Sequence, residues 1–422
     1  MPDKLKIVGG HPLSGQIPIS GAKNAALPAL AASLLTDETI QLSNLPDVWD
    51  TGTMRRLLEG LGVRVTRDST TSWRLSIDSD EAFEAPYRWV KTMRASILTL
   101  GPLLAKRRRA RVSLPGGCAI GSRPIDLHLA GLSALGARID LAHGFVEAAV
   151  DGRLRGAPYH FERITVTGTE NLMLAACLAD GYTRLTGCAR EPEIQDLADL
   201  LNAMGADIEG AGTECIEIRG VTSLGSATHR VIPDRIEAGT FAIAAALIAD
   251  DAGLELTGCK GVRLEALREV LSPSDVAWDD SGDNLRVGRA ETHRPLSVKT
   301  APFPGFATDL QAQLMVLASQ GRGVSHIEET IFENRFMHVA ELVRMGAHID
   351  LTGGMARVHG PTPLSGAATM ATDLRASACL VLAGLIAEGE TSVDRIYHLD
   401  RGYQRIEQKL RSVGARIERI EA

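Results

Sequence analysis

The chain has 422 residues, more than one hydrophobic core of ordinary size encloses, so two or more domains are expected. Aromatic residues are only 4% and glycines number 42, so the interior must be built from aliphatic and small side chains that let backbones approach closely. Lys and Arg total 45 against 52 Asp and Glu, a net charge of −7, which excludes a general binder of nucleic acid or anionic membrane and leaves any anion site to a local cluster.

Met1 to Gly10 carries no apolar core of the kind a secretory signal needs, and no stretch approaches the roughly 18 apolar residues of a membrane span. The expectation is a soluble cytoplasmic protein. Cysteines stand at 118, 177, 188, 215, 259 and 379, with no CxxC pair and no Cys/His spacing suited to zinc, so neither a disulfide framework nor a structural metal is expected. Cys177, Cys188, Cys259 and Cys379 read as small buried hydrophobes.

In chain order, an apolar helix at Lys23–Leu35 leads to a strand at Thr39–Leu42, and an amphipathic helix then ends at Leu57–Val65 (LLEGLGVRV). The pair returns as Val90–Ala105 with Arg111–Leu114, then Leu132–Ile139 (LSALGARI), and as Asn171–Ala179 with Thr183–Leu185, then Leu201–Ile208 (LNAMGADI). Three further apolar helices, Thr240–Ala249, Leu310–Ser319 and Leu374–Ala387, each precede a short strand-like segment. Their amphipathic partners are Leu267–Trp278 (LREVLSPSDVAW), Leu342–Ile349 (LVRMGAHI) and Leu410–Ile417 (LRSVGARI). The glycine of the amphipathic motif recurs about every 70 residues, and only Leu267–Trp278 lacks it. A helix end in the left-handed conformation, from which the chain turns straight into a strand, explains the glycine. Six units divide into two domains of three, with a boundary near Val231-Ile232-Pro233-Asp234, and the Ala-rich apolar helices are expected inside, walled by sheets. Two such lobes facing one another would make a cleft able to close on substrates.

Cys118 differs from the other cysteines. It lies in Ser113-Leu114-Pro115-Gly116-Gly117-Cys118-Ala119-Ile120-Gly121-Ser122-Arg123-Pro124-Ile125-Asp126, a glycine-rich loop after a strand, where Arg123 favours its thiolate and where it can donate a proton or attack carbon. Lys23, in Ser20-Gly21-Ala22-Lys23-Asn24, opens a helix at the positive end of its dipole, a placement that makes sense with an anion. Arg94, Arg335, Arg375 and Arg401 recur at matching places of the repeats and together suit a small polyanion carrying carboxylate and phosphate. Asp309 begins another inner helix, where it is either a cap or a general base. Lys106–Arg109 follows an apolar helix and reads as solvated cations.

These segments resemble the UDP-N-acetylglucosamine 1-carboxyvinyltransferase family of the EPSP synthase superfamily along essentially the whole chain. The carriers are SGAKNAALP at Ser20–Pro28, KTMRAS at Lys91–Ser96, LPGGCAIGSRPIDLH at Leu114–His128, AREPEIQDLA at Ala189–Ala198, PDRIEAGTF at Pro233–Phe241, ENRFMH at Glu333–His338, and ATDLRAS with DRIYHLDRGY near the C-terminus. The resemblance implies an α/β fold of two inside-out α/β barrel lobes built from six βαβαββ-like units, three per lobe. One lobe is residues 23–233 with the Cys118 loop, the other 1–22 plus 234–422, and the active site lies in the cleft between them. It implies transfer of the enolpyruvyl group of phosphoenolpyruvate to the 3-hydroxyl of UDP-N-acetylglucosamine, releasing phosphate through a tetrahedral ketal, the first committed step of peptidoglycan synthesis. Cys118 looks like the family's proton donor, able to form an adduct with phosphoenolpyruvate and alkylated by fosfomycin. Asp309 looks like the base for the sugar hydroxyl. Lys23, Arg123 and Arg401 look like the phosphoenolpyruvate clamp, supported by Arg94, Arg335 and Arg375. Asn24, Arg123, Pro124, Ile125, Asp126, Leu127, Arg163, Thr165, Val166, Thr167, Gly168 and Ile331 match positions around the UDP-sugar. No metal, no cofactor, no nucleic acid, no membrane and no obligatory protein partner is implied.

Three features depart from the family pattern: Ala307 where many members have Pro, Thr167–Asn171 (TGTEN), and the glycine missing from Leu267–Trp278. An enzyme of the 5-enolpyruvylshikimate-3-phosphate synthase type would share fold and donor but lack Cys118 and the KNAALP run. A non-catalytic paralogue that binds a UDP-sugar would have lost the proton donor, base or clamp.

Overall fold

The computed structural model describes residues 3–91, 93–114 and 125–421. Cys118, Arg123 and Pro124, expected at the reacting centre, lie outside the described residues. The described residues divide into two compact units, one of residues 3–20 and 233–421, the other of residues 21–91, 93–114 and 125–232, called unit 21–232 below.

Each unit holds three four-stranded sheets of one topology. In unit 21–232, for instance, Pro158–His160 lies parallel to Tyr182–Thr186, which pairs antiparallel with Cys215–Arg219 and through it Asp207–Glu209. Between the first two strands runs the inner helix Val166–Ala176, and between the next two the outer helix Pro192–Ala203, giving β-α-β-α-β-β. The expected six-fold repeat is therefore present. Three copies are completed by distant strands: Lys4–Val8 pairs with Glu390–Asp394 and Arg416–Ile420, Leu13–Pro18 lies parallel to the long strand Ala249–Thr257, and Ala227–Arg230 lies parallel to Ile40–Ser43. A strand contributed from far away in sequence costs chain entropy on closure but leaves the local repeat unchanged.

The inner helices are buried nearly all round because they are Ala- and Leu-rich without a polar stripe. In Arg235–Ile248 every residue from Ile236 to Leu247 is buried, and in Leu374–Ile386 every residue from Arg375 to Leu385. Small residues set the spacing: a Cβ on Gly239 would run into the Leu310 side chain, and one on Gly101 into the Asn171 carbonyl oxygen. The outer helices bury one face only; Trp49–Gly60 hides Asp50, Thr51, Met54, Leu57 and Leu58.

The inner helix expected over Val90–Ala105 is divided. A turn at Tyr87–Val90 is followed by a 3₁₀ segment at Arg94–Thr99, and the α-helix proper is Leu100–Arg107. Pro102 explains the restart, since a residue without an N–H fits the first helical turn but not an interior one. In the glycine-less copy, helix Glu265–Leu271 runs into the turn Ser272–Ser274, and Asp275 takes the left-handed conformation at φ +52°. Asp tolerates that region better than most residues, and its Oδ2 accepts from Thr292 Oγ1 at 3.0 Å.

Candidate active site

In unit 21–232, Lys23 is the first residue of the helix Lys23–Ala32, which has no side-chain cap and no acidic residue in its first turn. Its ammonium lies 3.4 Å from Oδ2 of Asp50, a buried carboxylate on the first turn of Trp49–Gly60. The ion pair offsets the unfavourable meeting of a cation with a helix N-terminus. Asn24 follows, half-buried, on the same turn. Arg94 opens the 3₁₀ segment Arg94–Thr99.

Thr165 caps the helix Val166–Ala176, its Oγ1 accepting from the Gly168 N–H at 3.2 Å. One turn on, Asn171 is buried and fully occupied. Its Oδ1 accepts from the Gly101 N–H at 2.8 Å, and its amide donates to the Ile97 carbonyl at 3.2 Å and to His128 Nδ1 at 3.0 Å. That contact fixes the tautomer of His128: Nδ1 accepts, so Nε2–H donates to Thr167 Oγ1 at 3.2 Å. Burial, reinforced by Arg94, pushes the His128 imidazole down to about 4, so it is neutral at physiological pH. The network ties the helix that follows the Cys118 loop, Asp126–Ala134, to two inner helices. Ile125 precedes that helix without a side-chain cap, Asp126 bridges to Arg163 at 2.7 Å on the surface, and the Leu127 carbonyl accepts from the Tyr159 hydroxyl at 3.2 Å. Asp126, Leu127, Arg163, Thr165, Val166, Thr167 and Gly168 are thus brought together around the starts of two neighbouring helices.

In the other unit, Asp309 is no cap. The turn Thr308–Leu310 has no side-chain cap, and both Asp309 oxygens are taken by guanidiniums, Oδ1 by Arg335 Nη2 and Oδ2 by Arg375 Nη2, each at 2.8 Å. Arg335 is 5% and Arg375 4% exposed at the side chain, against 25% for Asp309. Each arginine also lies over an aromatic ring, Arg335 over Phe332 and Arg375 over Tyr403. Burial works to raise the Asp309 carboxyl, but Arg375 and Arg335 outweigh it and hold the group well below the usual carboxylate range. The trio carries a formal surplus of positive charge, able to receive an anion.

Glu329 organises the neighbourhood. Its carboxylate accepts from Thr300 and Thr308 hydroxyls at 2.9 and 2.8 Å and from the Ile331 and Phe332 N–H groups at 2.8 and 3.2 Å. It thereby ties the Asp309 turn to the loop carrying Ile331 and Arg335. Arg401 ends the 3₁₀ turn Ile396–Arg401. Asp50, Glu329, His128 and the two aromatic rings were not singled out from sequence. His128 lay within the glycine-loop motif and could have been; Glu329 was not, because Thr300 and Thr308 reach it only through the fold.

The sequence pattern of the EPSP synthase (3-phosphoshikimate 1-carboxyvinyltransferase) family matches residues 7–410. The chain belongs to that family of two-unit carboxyvinyl transferases. Within it, the chain is 56% identical to the UDP-N-acetylglucosamine 1-carboxyvinyltransferase of Anaeromyxobacter dehalogenans over 99% of both chains. It is 55% identical to that of Koribacter versatilis, covering 99% of this chain and 96% of the relative. Among solved structures, the enolpyruvyl transferase NikO from Streptomyces tendae superposes with a TM-score of 0.89 at 27% identity, covering 100% of this chain and 99% of that one. EPSP synthase from Acinetobacter baumannii shares the fold at a TM-score of 0.75 and 17% identity, covering 99% of this chain and 100% of that one.

Proposed function

We propose that this chain transfers the enolpyruvyl group of phosphoenolpyruvate to the 3-hydroxyl of UDP-N-acetylglucosamine, releasing phosphate, as the committing step of peptidoglycan synthesis. The observation that carries the reading is 56% identity over 99% of both chains to a relative named for that activity. The reading sets the protein in the cytoplasm, where phosphoenolpyruvate and nucleotide sugars are formed, acting on small molecules without a protein partner. Among the described residues, no helix is long and apolar enough to cross a membrane.

In this mechanism the Cys118 thiol gives its proton to the methylene carbon of phosphoenolpyruvate, and positive charge develops at the neighbouring carbon. The sugar oxygen bonds there and passes its proton to Asp309. The resulting ketal loses phosphate, which takes the proton from Asp309, as the new methyl group returns a proton to the Cys118 thiolate, restoring the double bond. Lys23, Arg123 and Arg401 hold the donor, with Arg94, Arg335 and Arg375 adding positive charge that orients it and stabilises departing phosphate. Asn24, Arg123, Pro124, Ile125, Asp126, Leu127, Arg163, Thr165, Val166, Thr167, Gly168 and Ile331 line the UDP-sugar.

A carboxylate clasped by two guanidiniums is a weak base. An incoming anion that shares Arg335 and Arg375 weakens their hold on Asp309 and raises its basicity, so the base becomes competent only when substrate is present.

The test is phosphate release from phosphoenolpyruvate by purified protein, with UDP-N-acetylglucosamine or shikimate 3-phosphate as acceptor, alongside Cys118→Ser. Release that requires the UDP-sugar and falls by a factor of about 10² or more in the variant is expected. Release with shikimate 3-phosphate instead would reassign the acceptor, and none with either would leave a binding protein.

A further inference from the structure

The strand His348–Thr352 pairs antiparallel with Met355–Gly360, and the register sets His348 directly opposite His359. Ala356 and Val358 point into the core of the unit, so His359 and Arg357 fall on the outer face, as do His348 and Asp350 on the neighbouring strand. The two imidazoles stack, with ring centroids 4.2 Å apart and planes inclined by 17°. Asp350 reaches diagonally to His359, its Oδ2 lying 2.9 Å from Nε2. One ligand atom from each of the three side chains lies within 4.8 Å of the other two.

We propose that His348, Asp350 and His359 form a binding site for a divalent ion from the right of the first transition row, Zn²⁺, Ni²⁺ or Cu²⁺. The donor set is two imidazoles, borderline ligands that suit these ions, and a carboxylate, which zinc also accepts. Donors around a tetrahedral ion at about 2.0–2.1 Å lie roughly 3.3 Å apart, so closing the set takes side-chain shifts on the order of 1 Å. The backbone needs no change, because the strands are anchored by the buried Ala356 and Val358 and the antiparallel ladder. Three protein ligands leave further coordination positions to water. Arg357 stands opposite Asp350 in the register and opposes the ion's charge, but the carboxylate is turned away from it toward His359. Sequence spacing gives no hint of this site, since ten residues and a hairpin turn separate His348 from His359; only the pairing joins them.

The test uses the untagged full chain and the ions alone. Calorimetric titration with Ni²⁺, which favours imidazole over the thiols of the chain, is expected to give one ion per chain, with affinity at least tenfold weaker in His348→Ala, in His359→Ala and in Asp350→Ala. Electron paramagnetic resonance of the Cu²⁺ form is expected to show two coordinating nitrogens, one lost in each histidine variant. All three side chains stand on the outer face, and the melting temperature of each variant checks that it folds. Absence of stoichiometric binding, or binding unchanged in both histidine variants, overturns the assignment.

Discussion

Asp309→Asn keeps the size of the side chain and removes its charge, leaving Arg335 and Arg375 facing each other at 5% and 4% exposure. Removing one partner of a buried ion pair costs about 3–5 kcal/mol, because the remaining charge is uncompensated. Asp309 itself is 25% exposed, so water recovers part of that, and the expected loss is about 3 kcal/mol. For a unit of this size, with about 2–4 °C per kcal/mol, the melting midpoint should fall by about 6–12 °C. The pH dependence follows from the sign of the shift. In the folded chain the Asp309 carboxyl titrates well below its unfolded value of about 3.9, so its contribution is complete above that pH and disappears as pH falls from there through the folded value. The gap between parent and variant should therefore be full at pH 7 and narrow below about pH 3.9, by up to about 1.4 kcal/mol per pH unit. Calorimetric melts at pH 7 and near pH 3 measure both, and millimolar phosphate should restore part of the loss by taking the place of the carboxylate. A variant as stable as the parent at pH 7 would refute the reasoning, showing that the two guanidiniums do not need the carboxylate.

Glu170 is buried on the inner helix Val166–Ala176, and burial, then Glu193 and Glu191, raise its carboxyl well above the usual range. The folded state thus keeps a proton that the unfolded state loses above about pH 4.3, and stability falls as pH rises from there toward the folded value. Glu170→Gln should match the parent near pH 4 and exceed it increasingly toward neutral pH, by up to about 1.4 kcal/mol per pH unit; denaturant melts showing a pH-independent gap would contradict this. Ala307 has φ −67°, proline's own value, so Ala307→Pro should stabilise by about 0.4–1 kcal/mol through the unfolded chain, and a lowered melting temperature would show a clash that φ does not reveal. Gly136 at φ +92° faces open space, whereas a Cβ on Gly62 at φ +85° would collide with the Ser79 carbonyl oxygen. Gly136→Ala should cost about 1–2 kcal/mol and Gly62→Ala roughly 1–3 kcal/mol more; equal losses in urea melts would remove the steric part of the argument.

The repeat was legible because its punctuation is chemical. Gly62, Gly136, Gly205, Gly346 and Gly414 all take positive φ, between +85° and +104°, where a side chain is costly. The copy without a glycine was legible as a gap but not in how it is filled, since Asp275 has a side chain and reads like any surface acid. The restart of the second inner helix at Leu100 was missed although Pro102 was in plain view, because an apolar run spanning Val90–Ala105 outweighs one proline in a periodicity reading. Charged residues were found one at a time, but not which of them pair. Lys23 meets Asp50, and Asp309 meets Arg335 and Arg375, through packing of segments 26 to 66 residues apart, which no local pattern encodes.

One rule nevertheless connects the repeat to the chemistry. Lys23 and Asn24, Arg94, Thr165 to Gly168, Asp309 and Arg375 all stand where an inner helix or the 3₁₀ turn leading into it begins. The inner helices are too apolar to carry charge along their length, so polar groups meet solvent at their ends, and the named residues gather at the first turns. Those turns also present unpaired N–H groups and the positive end of the helix dipole, which favour anions. A fold that repeats such a helix therefore repeats an anion-receiving turn, and basic side chains placed there add to a field the backbone already supplies. Asp309 is the exception in sign among these, and its two arginines hold the carboxylate among such groups, an arrangement the proposed mechanism uses as a base held in reserve. The reaction proposed here joins two polyanionic substrates, and the inner helix ends are the part of this repeat whose physics suits them.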